Sequence, residues 1–253
     1  MKSGKRITCA LLVLLPLLYA WNTPRALAML EYVSLKEDAQ TAWTYPVPLA
    51  VLEDPQDVLR LINRDHLLDK RYPDQAIEMY ELVDVTAPTT KGTCQLRVVA
   101  NEALSRMLDD ARAEGIELYV GSAYRKYRTQ EVMHYNRVQK MGRDDGVVQM
   151  AGASEHQSGL AADVVSWAYK DRFLTSFGDT REGEWLAANC ARYGFIIRYP
   201  KDQEDITGVT YEPWHVRFVG EEAAAYIMES GMTLEEFTEE WQQILADYKL
   251  KGI

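Results

Sequence analysis

Cysteine and histidine are scarce in this chain: its 253 residues contain three of the first and four of the second. Neither Cys94 nor Cys190 belongs to a C-x-x-C pair, which excludes that type of redox or zinc motif. Cys9 falls inside the N-terminal apolar run, so Cys94 and Cys190 remain, either as a disulfide or as two separate thiols. Internal repeats, low-complexity stretches and acidic or basic tails are absent, because the 26% of charged residues are interleaved along the chain. Positive charge is also in deficit. The formal net charge is -10, and the first 28 residues hold four basic residues and no acidic one. The remainder of the chain carries 24 basic against 38 acidic residues, a net of -14. That balance opposes binding to nucleic acid or to anionic lipid, so an anionic substrate has to be met by a local positive group. Disorder is excluded as a default by 47% hydrophobic residues, enough for the core of one ordinary domain.

What is present begins with an export segment. Lys2, Lys5 and Arg6 precede the uncharged apolar run Ile7–Trp21, and Ala26-Leu27-Ala28 supplies a small-x-small cleavage pattern. The run is short for a span of about 20 residues and Pro16 interrupts it. Residues 1–28 are therefore expected to be a signal peptide or a retained anchor, and the working domain to lie outside the cytoplasm. Residues 29–75 lack long periodicity and are expected to form an N-terminal extension packed on the main domain, residues 76–253. Within that extension the run Val58, Leu59, Leu61, Ile62 has the character of a strand.

The main domain alternates helices and short strands. Apolar residues recur at helical spacing from Val98 to Ile116, with Gly115 as a stop. A strand Ile116–Val120, a helix Arg128–Met141 closed by Gly142, and a long loop over 142–159 are expected next; loops of that length carry function. Further strands are expected at Ala161–Val165, Phe195–Tyr199 and Val216–Val219, with helices at Glu182–Tyr193, Glu221–Glu229 and Thr233–Tyr248. Thr233 and Glu236 form a capping box. The order predicts an α+β fold with a small, largely antiparallel sheet flanked by helices.

Two of the four histidines keep unusual company, in Ser154-Glu155-His156-Gln157-Ser158-Gly159-Leu160-Ala161-Ala162-Asp163 and in Glu212-Pro213-Trp214-His215. Two imidazoles and a carboxylate are a sufficient ligand set for catalytic zinc, which takes three protein donors and keeps a fourth position open. Gly159 breaks any helix between His156 and Asp163, placing the histidine on a loop and the aspartate on the next strand. Glu212 and His215 would face opposite sides of a regular strand. A bend or bulge at Pro213 is therefore required to bring them together. A carboxylate beside the metal, and not on it, is placed to act as general base. The competing reading of the same spacing is that each histidine is an isolated polar residue satisfied by hydrogen bonds.

The S-x-H-x-x-G-x-A-x-D segment and the later E-x-W-H, in this order, resemble the zinc D-alanyl-D-alanine carboxypeptidases of the VanY type. That group also contains lysostaphin-like enzymes and the hedgehog signalling domain. The resemblance runs from about Leu61 to Trp241 and includes Leu61-Ile62-Asn63-Arg64-Asp65-His66 and Ser122-Ala123-Tyr124-Arg125. It implies a hedgehog/D,D-peptidase-like fold, zinc held by His156, Asp163 and His215, and Glu212 as base. It also implies that Arg125 contacts the substrate's terminal carboxylate or its scissile carbonyl, a task that suits a planar guanidinium. Ser122, Tyr124, Gln130, Ser154 and Trp214 are the further substrate-binding candidates. The implied substrate is a peptidoglycan stem peptide ending in D-alanine. Separately from the resemblance, the chain is expected to be a monomer and to meet membrane only through residues 1–28, if they are kept as an uncleaved anchor. Ala123, Lys126, Ser158 and Phe218 depart from the residues common in the family, which bears on substrate preference and leaves metal binding intact.

Alternatives stay open at several positions. Ser154 is a substrate contact or a loop cap, Trp214 a pocket wall or core, and Tyr124 core or pocket lining. His66 caps or packs, and His134 faces solvent. The same motifs fit an L,D-carboxypeptidase acting on tetrapeptide stems; a non-catalytic zinc-containing wall-binding module has the metal without needing Glu212 or Arg125, and a structural envelope protein whose motif residues are incidental binds no metal.

Overall fold

A computed structural model describes residues 43–74 and 77–250; the expected export segment 1–28 lies outside the described residues. The chain divides into a unit of Met1–Tyr45 with Leu245–Ile253 and a unit of Pro46–Ile244. In the smaller unit the Trp43 ring meets Tyr248 edge to face at 4.9 Å. Among the described residues no helix is long and apolar enough to cross a membrane.

After a single helical turn α1 (Leu49–Leu52), the elements run β1 (Leu82–Asp84), β2 (Gln95–Arg97), α2 (Val98–Ala113), β3 (Tyr119–Ser122), α3 (Tyr127–Met141) and β4 (Ala161–Val165). They continue with α4 (Arg181–Asn189), β5 (Phe195–Ile197), α5 (Glu204–Thr207), β6 (His215–Phe218), α6 (Glu221–Ser230) and α7 (Leu234–Leu250). Strands β1 and β2 make a two-stranded antiparallel ribbon, and the main sheet has the order β3-β4-β6-β5 with every neighbour antiparallel. This is the α+β architecture that the element order predicts. The helix over 182–193 is shorter than its apolar pattern: α4 stops at Asn189, and a 3-10 turn, Cys190–Tyr193, carries the chain to Gly194 in the left-handed region. At the start of α7 the capping box forms, with the Thr233 amide donating to Glu236 Oε2 at 2.8 Å and the Glu236 amide to Thr233 Oγ1 at 3.2 Å.

Strand alternation sorts the two faces of the sheet. Ala162, Val164 and Val216 point into the core built with Leu104, Met107 and Leu108 of α2. Asp163, His215 and Arg217 therefore occupy the opposite face, which is also buried. Residues 54–60 help to cover that face, and here the expected strand at Val58–Ile62 is corrected, since no strand forms there. The backbone groups of this segment are paired by side chains instead of by a ladder. The amides of Val58 and Leu59 donate to the Asp54 carboxylate at 2.7 and 2.9 Å, and Arg217 donates to the carbonyls of Val58 and Arg60 at 2.9 and 2.8 Å. Cys94 and Cys190 are separate thiols, and burial pushes the Cys190 thiol up to about 12.

Candidate metal centre and active site

The centre of the sheet brings the chemistry together. In the ladder Ser122 of β3 lies beside Asp163 of β4, and Asp163 beside His215 of β6, so three chemically active positions form one row across three strands. His156 arrives from outside the sheet, on the 3-10 turn Glu155–Ser158. Gly159 ends that turn at φ +73°, and a Cβ there would lie 2.7 Å from Leu82 Cδ2 and 3.3 Å from the Arg97 amide nitrogen. Both the backbone angle and the close approach thus require glycine at this position.

His156, Asp163 and His215 are all buried, and one ligand atom from each lies within 4.8 Å of the others. His156 Nε2 is 3.2 Å from Asp163 Oδ2, and His215 Nδ1 is 3.1 Å from Asp163 Oδ1. The outer nitrogen of each imidazole faces a partner of its own. His156 Nδ1 sits 2.8 Å from the Ala123 carbonyl, and His215 Nε2 sits 3.5 Å from Glu155 Oε2. Burial works to raise the Asp163 carboxyl, but the two imidazoles outweigh it and hold the group well below the ordinary carboxylate range. Burial likewise works against a charged His215, yet hydrogen bonds to Asp163 and Glu155 bring it up to about 9. His156, where burial dominates, is lowered. Two nitrogens and one carboxylate oxygen converging among buried side chains fit a catalytic zinc ion, with the cleft side left open.

Glu212 reaches the same point by a turn. The His215 amide donates to the Glu212 carbonyl at 3.1 Å with Pro213 between them, closing a β-turn in which proline takes its favoured second place. The irregularity required at Pro213 is thus a turn preceding β6. It puts Glu212 Oε2 3.8 Å from His215 Nδ1. Burial, helped by the charge of Asp163 and opposed by His215 and Arg125, pushes the Glu212 carboxyl up to about 7.

Arg125 comes just after β3 and is anchored from both sides. Its guanidinium donates to Gln130 Oε1 at 2.7 Å and to Ser122 Oγ at 3.1 Å, and its amide donates to the His156 carbonyl at 3.0 Å. Gln130, buried in α3, hands its own amide to the Gln149 carbonyl. Ser122 and Gln130 therefore bind Arg125 directly. Tyr124 is half-buried and absent from the cleft wall, whereas Ser154 and Trp214 line the cleft, Trp214 from within the core. His134 is only partly exposed, and its Nδ1 lies 2.7 Å from the Val148 carbonyl. His66 is exposed and pairs with Asn63 Oδ1 at 3.0 Å.

The cleft over these groups has a volume of about 460 Å³ and is walled by Met133, Val147, Phe173, Leu174, Tyr199 and Tyr211 as well as the residues above. A hollow of about 630 Å³ beside Leu59–Leu68 is larger, but the convergent nitrogen and oxygen donors among the described residues are in the smaller cleft. Sequence reasoning did not find Phe173, Leu174 or Tyr199, which carry no motif, nor Glu155, Arg198 and Arg217. For Arg217 a signal existed: in His-Val-Arg-Phe the polar residues alternate with apolar ones, marking a polar face of β6.

The part of the chain that carries this geometry is shared with known proteins. The family model VanY, D-alanyl-D-alanine carboxypeptidase, matches residues 93–221, a span holding Arg125, His156, Asp163, Glu212 and His215. YodJ of Bacillus subtilis, named for carboxypeptidase activity, is 38% identical over 198 residues, 78% of this chain and 72% of the relative. Among solved structures, the LD-carboxypeptidase LdcB superimposes with a TM-score of 0.67 at 38% identity, covering 74% of this chain and 88% of that one. A D,D-pentapeptidase VanY from a VanB-type vancomycin resistance cassette, solved with Zn(II), gives 0.59 at 31% identity over 72% and 98% of the two chains.

Proposed function

This chain belongs to the VanY family of D-alanyl-D-alanine carboxypeptidases, which are hydrolases, and we propose that it removes the C-terminal D-alanine from peptidoglycan stem peptides as a zinc enzyme. The observation that carries the proposal is the convergence of His156, Asp163 and His215 on one point, with Glu212 beside it and Arg125 on the same cleft. When bound, zinc supplies Lewis acidity, making a water acidic near neutral pH and polarising the scissile carbonyl. The chain's own groups do the rest. Arg125, held in place by Gln130 and Ser122, takes the substrate's terminal carboxylate in a two-point contact. Glu212 Oε2 accepts the proton of the attacking water and delivers it to the leaving amine nitrogen. Phe173, Leu174 and Met133 give the cleft apolar walls against which the substrate's methyl groups pack. Export by residues 1–28, cleaved or retained, places the enzyme outside the cytoplasm. The division proposed for the chain is that segment, an extension 29–75 and a carboxypeptidase domain 76–253.

Removal of an L,D-linked D-alanine from tetrapeptide stems is the second reading, favoured by the 0.67 TM-score to LdcB. Incubating the purified protein with synthetic penta- and tetrapeptide stems and weighing the products distinguishes the two. Loss of one alanine from the pentapeptide is expected, and loss only from the tetrapeptide transfers the assignment to the L,D reaction. Chelation should abolish either cleavage and added zinc restore it; turnover indifferent to chelator overturns the metal reading. Arg125→Lys exchanges a fork for a point charge. It should lower kcat/KM by roughly 10–100-fold, the worth of a charge-assisted hydrogen bond, with zinc content unchanged in metal analysis.

A further inference from the structure

Behind the ligand row lies a group of buried charges that the reaction does not consume. Glu155, adjacent to His156, is fully buried, as are Arg198 and Arg217. Its Oε1 accepts from Arg198 Nε at 2.8 Å and from Arg217 Nη1 at 2.6 Å. Arg198 in turn holds Glu235, at the start of α7, with both terminal nitrogens at 2.8 and 2.6 Å. The second oxygen, Oε2, and the outer nitrogen of His215, Nε2, are both buried and both without another partner, and they face one another at 3.5 Å. A carboxylate only accepts, so this pairing is satisfied when Nε2 of His215 carries a hydrogen. Nδ1 lies 3.1 Å from Asp163 Oδ1 and by the same rule donates to that carboxylate; with the Nε2 hydrogen held by Glu155, it is the Nδ1 hydrogen that a cation displaces on binding, which leaves the Nδ1 lone pair turned toward Asp163 and the cleft.

We propose that Glu155 is a positioning residue that fixes the His215 tautomer, holding the hydrogen on Nε2 so that Nδ1 is the nitrogen that binds the cation, while Arg198 and Arg217 hold the Glu155 carboxylate aimed at it. Nothing in this role touches substrate. It rests on the zinc reading of the site, and it extends the metal centre by a carboxylate that orients a ligand from behind, an arrangement worth roughly 10–100-fold in metal affinity. Glu155 also ties the site to the scaffold. Through Arg198 it reaches α7, and through Arg217 the carbonyls of Val58 and Arg60.

The discriminating substitution is Glu155→Gln. The amide oxygen can still accept from the two arginines, which turns the NH2 group toward His215 Nε2. That nitrogen must then accept, the hydrogen moves to Nδ1, and the lone pair meant for the cation is lost. Zinc titration of the full-length protein against a chromogenic chelator should show the dissociation constant rising roughly 10–100-fold in Glu155→Gln, with Glu155→Asp recovering part of the loss. The visible spectrum of the cobalt(II)-substituted protein should change in the glutamine variant, a readout that a general loss of rigidity would not select. Unchanged zinc affinity in a folded Glu155→Gln protein overturns the proposal. Should that variant not fold, nitrogen-15 histidine spectra of the zinc-loaded wild type decide the matter. A hydrogen on His215 Nε2 supports the assignment, and one on Nδ1 overturns it. Wild-type protein that takes up no zinc at all removes the proposed function as well, and this inference with it.

Discussion

On the proposed mechanism, replacing Glu212 with glutamine should leave zinc binding intact and lower turnover by roughly 10²–10⁴-fold, the usual contribution of a positioned general base. Geometry separates the two effects. The three donor side chains come from the Glu155–Ser158 turn, β4 and β6, and none depends on the Glu212 side chain for a hydrogen bond. The turn that positions Glu212 is closed by backbone atoms, the His215 amide on the Glu212 carbonyl and the Glu212 amide on the Tyr199 carbonyl at 3.0 Å. Glutamine keeps both and nearly the same volume. It lacks the capacity to accept a proton from water and return it to the amine. Metal analysis together with initial rates on a D-alanine-terminated pentapeptide checks both halves. Zinc retained at full occupancy with turnover within about threefold of wild type would assign proton transfer elsewhere; zinc lost in parallel with activity would make Glu212 a ligand.

The residues that meet at the candidate site were legible in the sequence because their motifs are local. His156, Asp163, Glu212 and His215 stand in two short segments whose spacing already excludes a one-helix arrangement, and the strand geometry around Pro213 demands an irregularity that the turn supplies. The helices α2 and α3, with their periodic apolar positions or glycine stop, are legible for the same reason. The features that escaped reading depend on distance along the chain. Glu155 looks like filler between Ser154 and His156 until its partners are known, and these lie 43 and 62 residues away. A charged residue is read as exposed by default, so a carboxylate shared by two buried arginines has no sequence signature. The same holds for residues 58–62. Their apolar content is that of a strand, and Leu59 and Ile62 are indeed buried, but the distant Arg217 satisfies the carbonyls of Val58 and Arg60, and local pattern carries no trace of that. The cleft walls Phe173 and Leu174 lie in a loop region that no periodicity marks.

Arg217→Met should be the most destabilising of the substitutions considered, because one side chain joins three otherwise separate parts of the larger unit. Its guanidinium donates to Glu155, to the carbonyls of Val58 and Arg60, and to the Phe218 carbonyl at 3.2 Å. Methionine fills much of the space occupied by the arginine stem and donates nothing. Glu155 is then left buried with Arg198 as its only arginine partner, and two carbonyls of the covering segment lose their donor. Removing one partner of a buried ion pair costs about 3–5 kcal/mol, which for a unit of this size corresponds to a fall in Tm of roughly 6–20 °C. Thermal unfolding of the metal-free protein measures it without contribution from zinc. The contrast is the Arg71–Asp69 pair, whose side chains are 85% and 64% exposed; solvent screens it, and Arg71→Met should leave Tm unchanged within error. A shift below about 2 °C for Arg217→Met would mean that the covering segment holds its place on apolar contacts alone. Limited proteolysis near residues 58–62 should report the same event locally, because that backbone has no ladder to fall back on once the arginine is gone.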